Sequence, residues 1–174
     1  LEGLEDEIGS FTETVSSRNL LDPARIYQDK LIRSSPPHVI GNTAGWAVAV
    51  LPVTPGKAYS IYSPSGAPRR RGAAFYASDD PVTDISDAVE GSYNGDVGTV
   101  TLTAPAGAKT IGVAVQSTTV PMPDDLMVIE GDDFPDYEAH GTRLVVKQSA
   151  VYPPVSAPDS RRPLSITINE LAGQ

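Results

Sequence analysis

The segment Thr99–Val115 constrains the fold most, because its apolar residues recur with a period of two. Between Thr99 and Thr103, two apolar side chains alternate with three threonines, as in a strand with one buried face. A turn at Ala104–Gly107 follows, and a second alternation places Gly112 and Ala114 together on one face. The segment predicts two strands joined by a turn, with a flat surface on the face of the small residues.

The composition favours many short strands over helices. The chain has 174 residues, among them 16 prolines and 15 glycines. Each proline or glycine inside a helix costs about 1 to 3 kcal/mol. A chain of this length is expected to form one domain that buries about 68–70% of its unfolded surface. The predicted class is all-β.

The net charge excludes some classes of partner. The formal charge is -9 with a pI near 4.5, so attraction to phosphates is unfavourable, and neither nucleic acid nor an anionic membrane is an expected partner. The chain contains no cysteine, so disulfides and thiolate metal sites are excluded. The longest apolar run, Trp46–Val53, is far shorter than the ~20 residues of a membrane span. No signal segment opens the chain, and because residue 1 is Leu we expect a piece of a longer protein.

The first residues follow the spacing of a coiled coil. Apolar side chains recur three and four residues apart, with acidic residues between them, at Leu1, Leu4, Ile8, Phe11 and Val15. This pattern predicts a helix that associates with other copies, although two heptads are marginal alone. Packing of the helix on its own domain is the alternative, and the number of copies does not follow from these residues.

The remainder divides into a sandwich and an extended tail. The predicted boundaries are a stalk helix at 1–18, a β-sandwich at 19–147 and a Pro-rich segment at 148–174. Strands are predicted at 46–51, 57–63, 73–78, 126–130 and 142–147, with loops at 34–37 and 41–45 and an acidic surface connection at 79–96. A last strand, Leu164–Asn169, has no partner in its own neighbourhood and is a candidate for pairing with another chain.

Five short motifs in order carry a resemblance to a known family. They are Asn19–Asp22, Val53–Tyr59, Ala73–Tyr76, Leu102–Ala108 and Met127–Gly131 followed by Pro135 and Tyr137. Over about residues 19 to 147 the chain resembles the carbohydrate-binding-like β-sandwich modules of phage tail fibres, tailspikes and baseplate proteins. The motifs are core and turn residues, so the resemblance supplies no binding or catalytic set.

The resemblance implies an architecture and a setting. It implies an antiparallel jelly roll in a homotrimeric fibre, with a short N-terminal coiled-coil helix and an extended C-terminal segment. The implied partners are other tail proteins and a bacterial surface polysaccharide. The implied location is the virion, extracellular after assembly in the bacterial cytoplasm.

Catalysis and metal binding have weak signals. His38 and His140 lie in loops flanked by Pro and Gly, and no nucleophile motif accompanies them. The acidic pairs, such as Asp124-Asp125, are expected to be solvated turn residues. A structural Ca²⁺ is an alternative for those acids, but no Asp-x-Asp-x-Asp-Gly loop is present. We expect no enzyme and no cofactor.

Two groups of residues are candidates for ligand binding. Arg69, Arg70 and Arg71 are the concentrated cations of an acidic chain, and they could hold phosphate or carboxylate groups of a glycan. Ion pairs with the acidic connection or with a neighbouring subunit are an equally good interpretation. The aromatic candidates for contacting a sugar ring are Trp46, Tyr62, Tyr76 and Tyr93. Tyr62 and Tyr76 are expected on a solvent-facing or groove face, whereas a tryptophan such as Trp46 is more often a core residue.

Three hypotheses for function follow. The first is a non-enzymatic trimeric module that recognises a bacterial surface glycan or positions other modules to do so. The second is a structural spacer or attachment module of the fibre. The third is a carbohydrate-binding module of a secreted enzyme.

Overall fold

The computed structural model describes residues 12–67 and 72–146. Contacts group the chain into a compact unit, Thr14–Val145, and a second unit of the two chain ends, which lies almost wholly outside the described residues. The described elements are the strands β1 Thr12–Ser16, β2 Ile26–Ile32, β3 Ile40–Pro52, β4 Ala58–Tyr62, β5 Ala73–Tyr76, β6 Val100–Thr103, β7 Thr110–Gln116, β8 Met127–Glu130 and β9 Thr142–Val146, and a 3-10 turn at Pro23–Arg25.

Two antiparallel sheets face each other. One has four strands in the order β2-β3-β7-β5, and the other has three in the order β6-β4-β8. The largest core cluster draws on both sheets, including Leu51 and Ile111 from the first and Tyr59, Ile61 and Val128 from the second. A separate two-stranded sheet pairs β1 with β9. The all-β, antiparallel class predicted from the sequence is confirmed.

The outer face of the four-stranded sheet is also covered. A second cluster there joins Tyr76 of β5 and Val48 and Val50 of β3 to Val82, which lies in the acidic connection between β5 and β6. This connection is therefore a lid over the sheet, and its backbone forms isolated bridges to Ala73 and Tyr76. Burial on both faces explains why every residue of β5 is buried.

The flat surface predicted on the Gly112 face is wrong. A Cβ built on Gly112 would lie 3.0 Å from Cε2 of Tyr76 and 3.3 Å from Cδ1 of Ile40. The small residue is needed because a second layer packs closely against β7 at this point. The alternation correctly predicts which face of β7 carries Gly112, but it does not predict the second layer that packs on that face.

Strands β6 and β7 both form, but they do not pair with each other. β6 pairs with β4, and β7 pairs with β3 and β5, so the connection at Ala104–Lys109 crosses from one sheet to the other. Its ends are fixed by backbone hydrogen bonds from Ala104 to Lys57 and from Val53 to Lys109. A period-two pattern indicates which side chains share a face of a strand, but not which strands pair with each other. The strand partners of β6 and β7 could therefore not be predicted from the sequence.

The predicted N-terminal helix is wrong where it can be compared. Val15 lies in strand β1, while the other heptad residues, Leu1, Leu4, Ile8 and Phe11, lie outside the described residues. The sequence Thr12–Ser16 contains two threonines and a valine, whose branched side chains favour strands over helices. The predicted loop at 41–45 is also wrong, because β3 begins at Ile40 and pairs there with β2.

Asn19 anchors the beginning of the sandwich. Its buried side chain donates to the carbonyl oxygens of Glu138 at 3.0 Å and Leu126 at 3.4 Å, and accepts from the amides of Leu21 at 3.0 Å and Val128 at 3.2 Å. A buried amide with all of these partners satisfied fixes three chain segments at once. This explains the first motif of the resemblance by structure and not by ligand binding.

Candidate aromatic cleft

Tyr62 is not on a solvent-facing surface, which corrects the expectation from the sequence. It is 4% exposed, and its hydroxyl donates to the carbonyl oxygen of Pro135 at 2.8 Å. Its ring packs edge-on against Phe134, with centroids 5.1 Å apart. Desolvation raises the pKa of the Tyr62 phenol. The loop after β8 covers this face of the three-stranded sheet, so Tyr62 contributes to packing.

Tyr76 is also buried, with no exposed surface. Its hydroxyl donates to the carbonyl oxygen of His38 at 2.8 Å, and burial raises its pKa far above the usual phenol value. The lid formed by the connection between β5 and β6 is the physical reason that the expected groove face is closed. Neither tyrosine is presented to a ligand.

Arg69, Arg70 and Arg71 lie outside the described residues. The chain is described up to Ala67 and again from Gly72. Their proposed roles in anion binding or ion pairing stay predictions.

Trp46 stands where the regular pairing of β3 is interrupted. The register between β2 and β3 shifts between Gln28 and Lys30, and the register between β3 and β7 shifts between Ala47 and Val48. Asp29 adopts a left-handed backbone at φ 57 and accepts a hydrogen bond from the amide of Gly45 at 2.9 Å. Bulges of this kind re-aim side chains and are frequent beside binding sites.

Tyr93 forms a supported aromatic platform. Its ring stacks on the imidazole of His38, with centroids 4.2 Å apart and planes inclined by 2°. Gly72 and Gly95 pack closely beside the ring, since Cβ atoms built there would be 3.5 and 3.6 Å from its Cε2 and Cε1 atoms. His38 is itself fixed, because its Nδ1 lies 2.9 Å from the carbonyl oxygen of Arg33. One face of Tyr93 is therefore occupied by His38, and the residue also lines a cleft.

The two aromatic residues line one cleft. Trp46 and Tyr93 lie there with the C-terminal end of β2 and the start of the following loop, and the volume of the cleft is about 380 Å³. The full lining is Leu31, Ile32, Ser34, Trp46, Tyr93 and Gly95. Ser34 is the polar side chain in this lining. Apolar walls with a few polar groups are the usual chemistry of a small-molecule site.

A second depression is larger but less suited to ring recognition. It has a volume of about 590 Å³ and lies beside the loop Val120–Asp125, with Pro121, Met122 and Pro123 in its wall and no aromatic residue. Asp125 uses its carboxylate to hold the neighbouring turn, through the Ser63 hydroxyl and the Ser65 amide. These hydrogen bonds, the one from Ser63 first, lower the pKa of Asp125. The acid is therefore engaged in structure.

The two histidines have structural contacts. His140 Nδ1 lies 2.8 Å from the carbonyl oxygen of Asn19, as His38 does from that of Arg33. Among the described residues, neither imidazole has a hydroxyl group as a recorded hydrogen-bond partner. In the part of the chain that the structure describes, neither imidazole is therefore paired with a nucleophile as a catalytic base would be.

Within residues 12–67 and 72–146, no group of three or more His, Asp or Glu side chains is placed to hold a metal ion. No described helix has the length and apolar character to cross a membrane.

No sequence pattern predicts that His38 and Tyr93 lie next to each other. They are far apart in the chain, and the stack forms only because the lid carries Tyr93 back over the end of β2. The available signals were weak: an aromatic residue in an acidic connection, followed closely by Gly95.

The comparisons with known proteins leave the family of this chain open. No family model matches the chain, and neither the curated proteins nor the solved structures contain a significant match.

Proposed function

We propose that the chain is a non-enzymatic, homotrimeric module of a phage tail fibre or similar appendage, and that it recognises a bacterial surface glycan or positions other modules to do so. The observation that carries the recognition part is the cleft between Trp46 and Tyr93. Its partners are the glycan and other tail proteins, and its location is the virion.

The cleft suits a sugar ring for physical reasons. A pyranose has an apolar face of C–H groups that packs on an aromatic ring, while its hydroxyl groups need polar neighbours. Tyr93 is held by His38 on one side, so little side-chain freedom is lost when a ring packs on the other. Trp46 supplies a second aromatic surface in the same cleft.

The finer architecture belongs to this proposal. The two facing sheets are the layers of a jelly roll, and the heptad residues Leu1 to Phe11 form a coiled-coil stalk that ends before β1 begins at Thr12. Light scattering on the full chain should give three times the mass of one chain, which is 18.3 kDa. A single-chain mass would contradict the trimer.

Calorimetric titration of the full chain with polysaccharides from candidate hosts tests recognition. We expect saturable binding that is lost in Trp46→Ala and in Tyr93→Ala. The matched control is Tyr137→Ala, since Tyr137 is a half-exposed tyrosine that lines a different cleft. If binding is retained in both cleft variants, the glycan binds elsewhere on the chain and the proposed cleft is wrong.

A structural spacer is the second candidate. It is favoured by the roles of the motif residues, because Asn19, Ala104 and Gly131 serve packing and backbone hydrogen bonds. Flat titrations at millimolar polysaccharide, with a trimer intact, would favour the spacer over recognition.

A further inference from the structure

We propose that the outer edge of β6 accepts an added strand, and that this strand is Leu164–Asn169 of a second copy of the chain. The contact links copies of the chain whether or not the cleft binds a glycan. It goes beyond the recognition function and does not depend on it.

The free hydrogen-bonding groups of β6 can be assigned from its pairing with β4. The amide of Ala104 donates to the carbonyl oxygen of Lys57, so these two residues form a hydrogen-bonded pair. Two residues further along, the next such pair is Leu102 with Tyr59, and the one after it is Val100 with Ile61. Because antiparallel pairs alternate, the backbone N–H and C=O groups of Thr101 and Thr103 point away from β4. Among the described residues these groups have no recorded partner.

The other edges of the two larger sheets are protected. β5 is covered by bridges from Ala88 and Asn94, and the outer side of β8 receives the amide of Leu20 at the carbonyl oxygen of Val128. β2 carries a bulge at Asp29. Bulges, charges and covering segments are the usual means of blocking unwanted strand pairing.

Within residues 12–67 and 72–146, none of these devices is found at β6. Its sequence, Val-Thr-Leu-Thr, contains no charge and no proline, and its register with β4 is unbroken. A regular, uncharged edge is a template for a further strand. In a chain that blocks its other edges, we take the open one to be a binding surface.

A groove beside the edge can receive the side chains of the incoming strand. It has a volume of about 180 Å³, with Phe75, Leu102 and Pro105 as its apolar walls and Glu90 at its rim. A strand added to β6 would place alternate side chains on the same side as Leu102, that is, toward this groove.

The sequence of Leu164–Asn169 fits that edge. Leu164, Ile166 and Ile168 alternate with Ser165, Thr167 and Asn169, so an apolar row faces one way and a hydroxyl and amide row faces the other. This matches the alternation of β6 itself. Arg161 and Arg162 come just before the segment and complement the acidic Glu90 at the groove.

The intervening chain can reach a neighbour. Four prolines lie between Val146 and Leu164, and proline-rich linkers favour an extended conformation. At ~3.1 Å per residue this stretch can span about 55 Å. Such a spacer is long enough for the segment to reach β6 of another copy.

Cysteine crosslinking tests the contact without background, because the chain has no cysteine. Single variants Thr99→Cys, Thr101→Cys and Thr103→Cys are each mixed with a mass-tagged Thr167→Cys chain and oxidised. We expect one of the three mixtures to give several-fold more mixed disulfide than Thr119→Cys, an exposed threonine outside β6. The variant that crosslinks best reports the register.

A double variant with both cysteines on one chain separates the outcomes. Intramolecular crosslinking in that chain, with none between copies, would show that the segment returns to its own sheet and would overturn the proposal. If no crosslink forms either within one chain or between copies, the edge has another occupant, and the proposal would be overturned as well.

A backbone variant provides an independent check. Thr101→Pro is introduced into the cysteine pair that crosslinks best, or Thr103→Pro where that pair uses Thr101→Cys. Either change removes an outward N–H that β4 does not use, and proline is tolerated on edge strands. We expect loss of the mixed disulfide with the thermal midpoint largely retained. Unchanged crosslinking would contradict strand addition at this edge.

Discussion

The outer face of the four-stranded sheet has one closed region and one open region, and the same lid borders both. Around Tyr76 the lid packs onto the sheet, Val82 fills the layer, and Gly112 admits the tyrosine ring. Around Tyr93 the lid and Trp46 line a cleft of about 380 Å³. The difference is one of packing and not of residue type, since each region is built on aromatic side chains.

The closed region explains why aromatic residues alone are a poor guide to a binding site. Tyr76 satisfies its hydroxyl on a backbone carbonyl and loses all contact with solvent. Tyr93 is stacked on His38, is only partly buried and lines the cleft. A ring that is supported on one side and open on the other is the arrangement that a ligand can use.

The largest expected effect is from Tyr76→Ala. Removing a fully buried aromatic side chain costs about 3 to 5 kcal/mol of unfolding free energy, because a cavity remains below the lid. Tyr93→Ala should cost clearly less, since its ring is only partly buried. Chemical denaturation of both variants measures the difference, and equal losses would contradict the distinction between the two regions.

Gly112→Ala tests how tightly the closed region is packed. Its new methyl group would lie 3.0 Å from the ring of Tyr76, so we expect a loss of about 1 to 3 kcal/mol. Gly98→Ala is the matched control, because a Cβ there has no heavy atom within 4 Å. If both variants unfold at the same denaturant concentration, Tyr76 packs less tightly against Gly112 than the distance of 3.0 Å indicates.

The strands that could be predicted from the sequence are those with clear alternation. β4, β7 and β8 lie close to their predicted bounds because apolar side chains mark them. β2 was missed because Gln28, Asp29 and Lys30 interrupt its apolar residues. Those residues suit an edge strand with a bulge, and the pattern of an isolated segment does not reveal its place in a sheet.

The candidate site was predicted only in part. Trp46 and Tyr93 were recognised as aromatic candidates, but alternation alone placed Tyr62 and Tyr76 on an open face. Each face of a strand is equally available until another segment covers it, and the covering segments here lie far away in the chain. The stack of His38 on Tyr93 depends on the same long-range packing.

Tyr76→Phe isolates the hydroxyl in the closed region. At neutral pH the loss of its bond to the His38 carbonyl should cost about 0.5 to 1.5 kcal/mol. Burial raises the folded-state pKa of Tyr76 above its unfolded value of 10.0, so its protonated form stabilises the fold below that pH, and this contribution is lost as the pH rises. Thermal midpoints above pH 10 should therefore fall more steeply in the wild type than in the variant, and parallel curves would contradict a buried phenol.

The smallest expected effect is a gain in stability from Ile85→Gly, at the exposed tip of the lid. Ile85 is 66% exposed and has φ 49, a left-handed conformation that is costly for a β-branched residue. The turn holds it there, because the Asp80 carboxylate accepts from the amides of Val82 and Thr83 and the Asp80 carbonyl accepts from Asp84. Glycine adopts this conformation without strain but gains entropy in the unfolded chain, so we expect a net stabilisation of about 0.5 to 1 kcal/mol.

Val97→Gly is the control, because Val97 is an exposed residue without a positive φ, and this variant should not stabilise the protein. Ile85 touches neither the closed region nor the cleft lining, so its variant should leave glycan titrations unchanged; altered binding would show that the tip of the lid takes part in recognition.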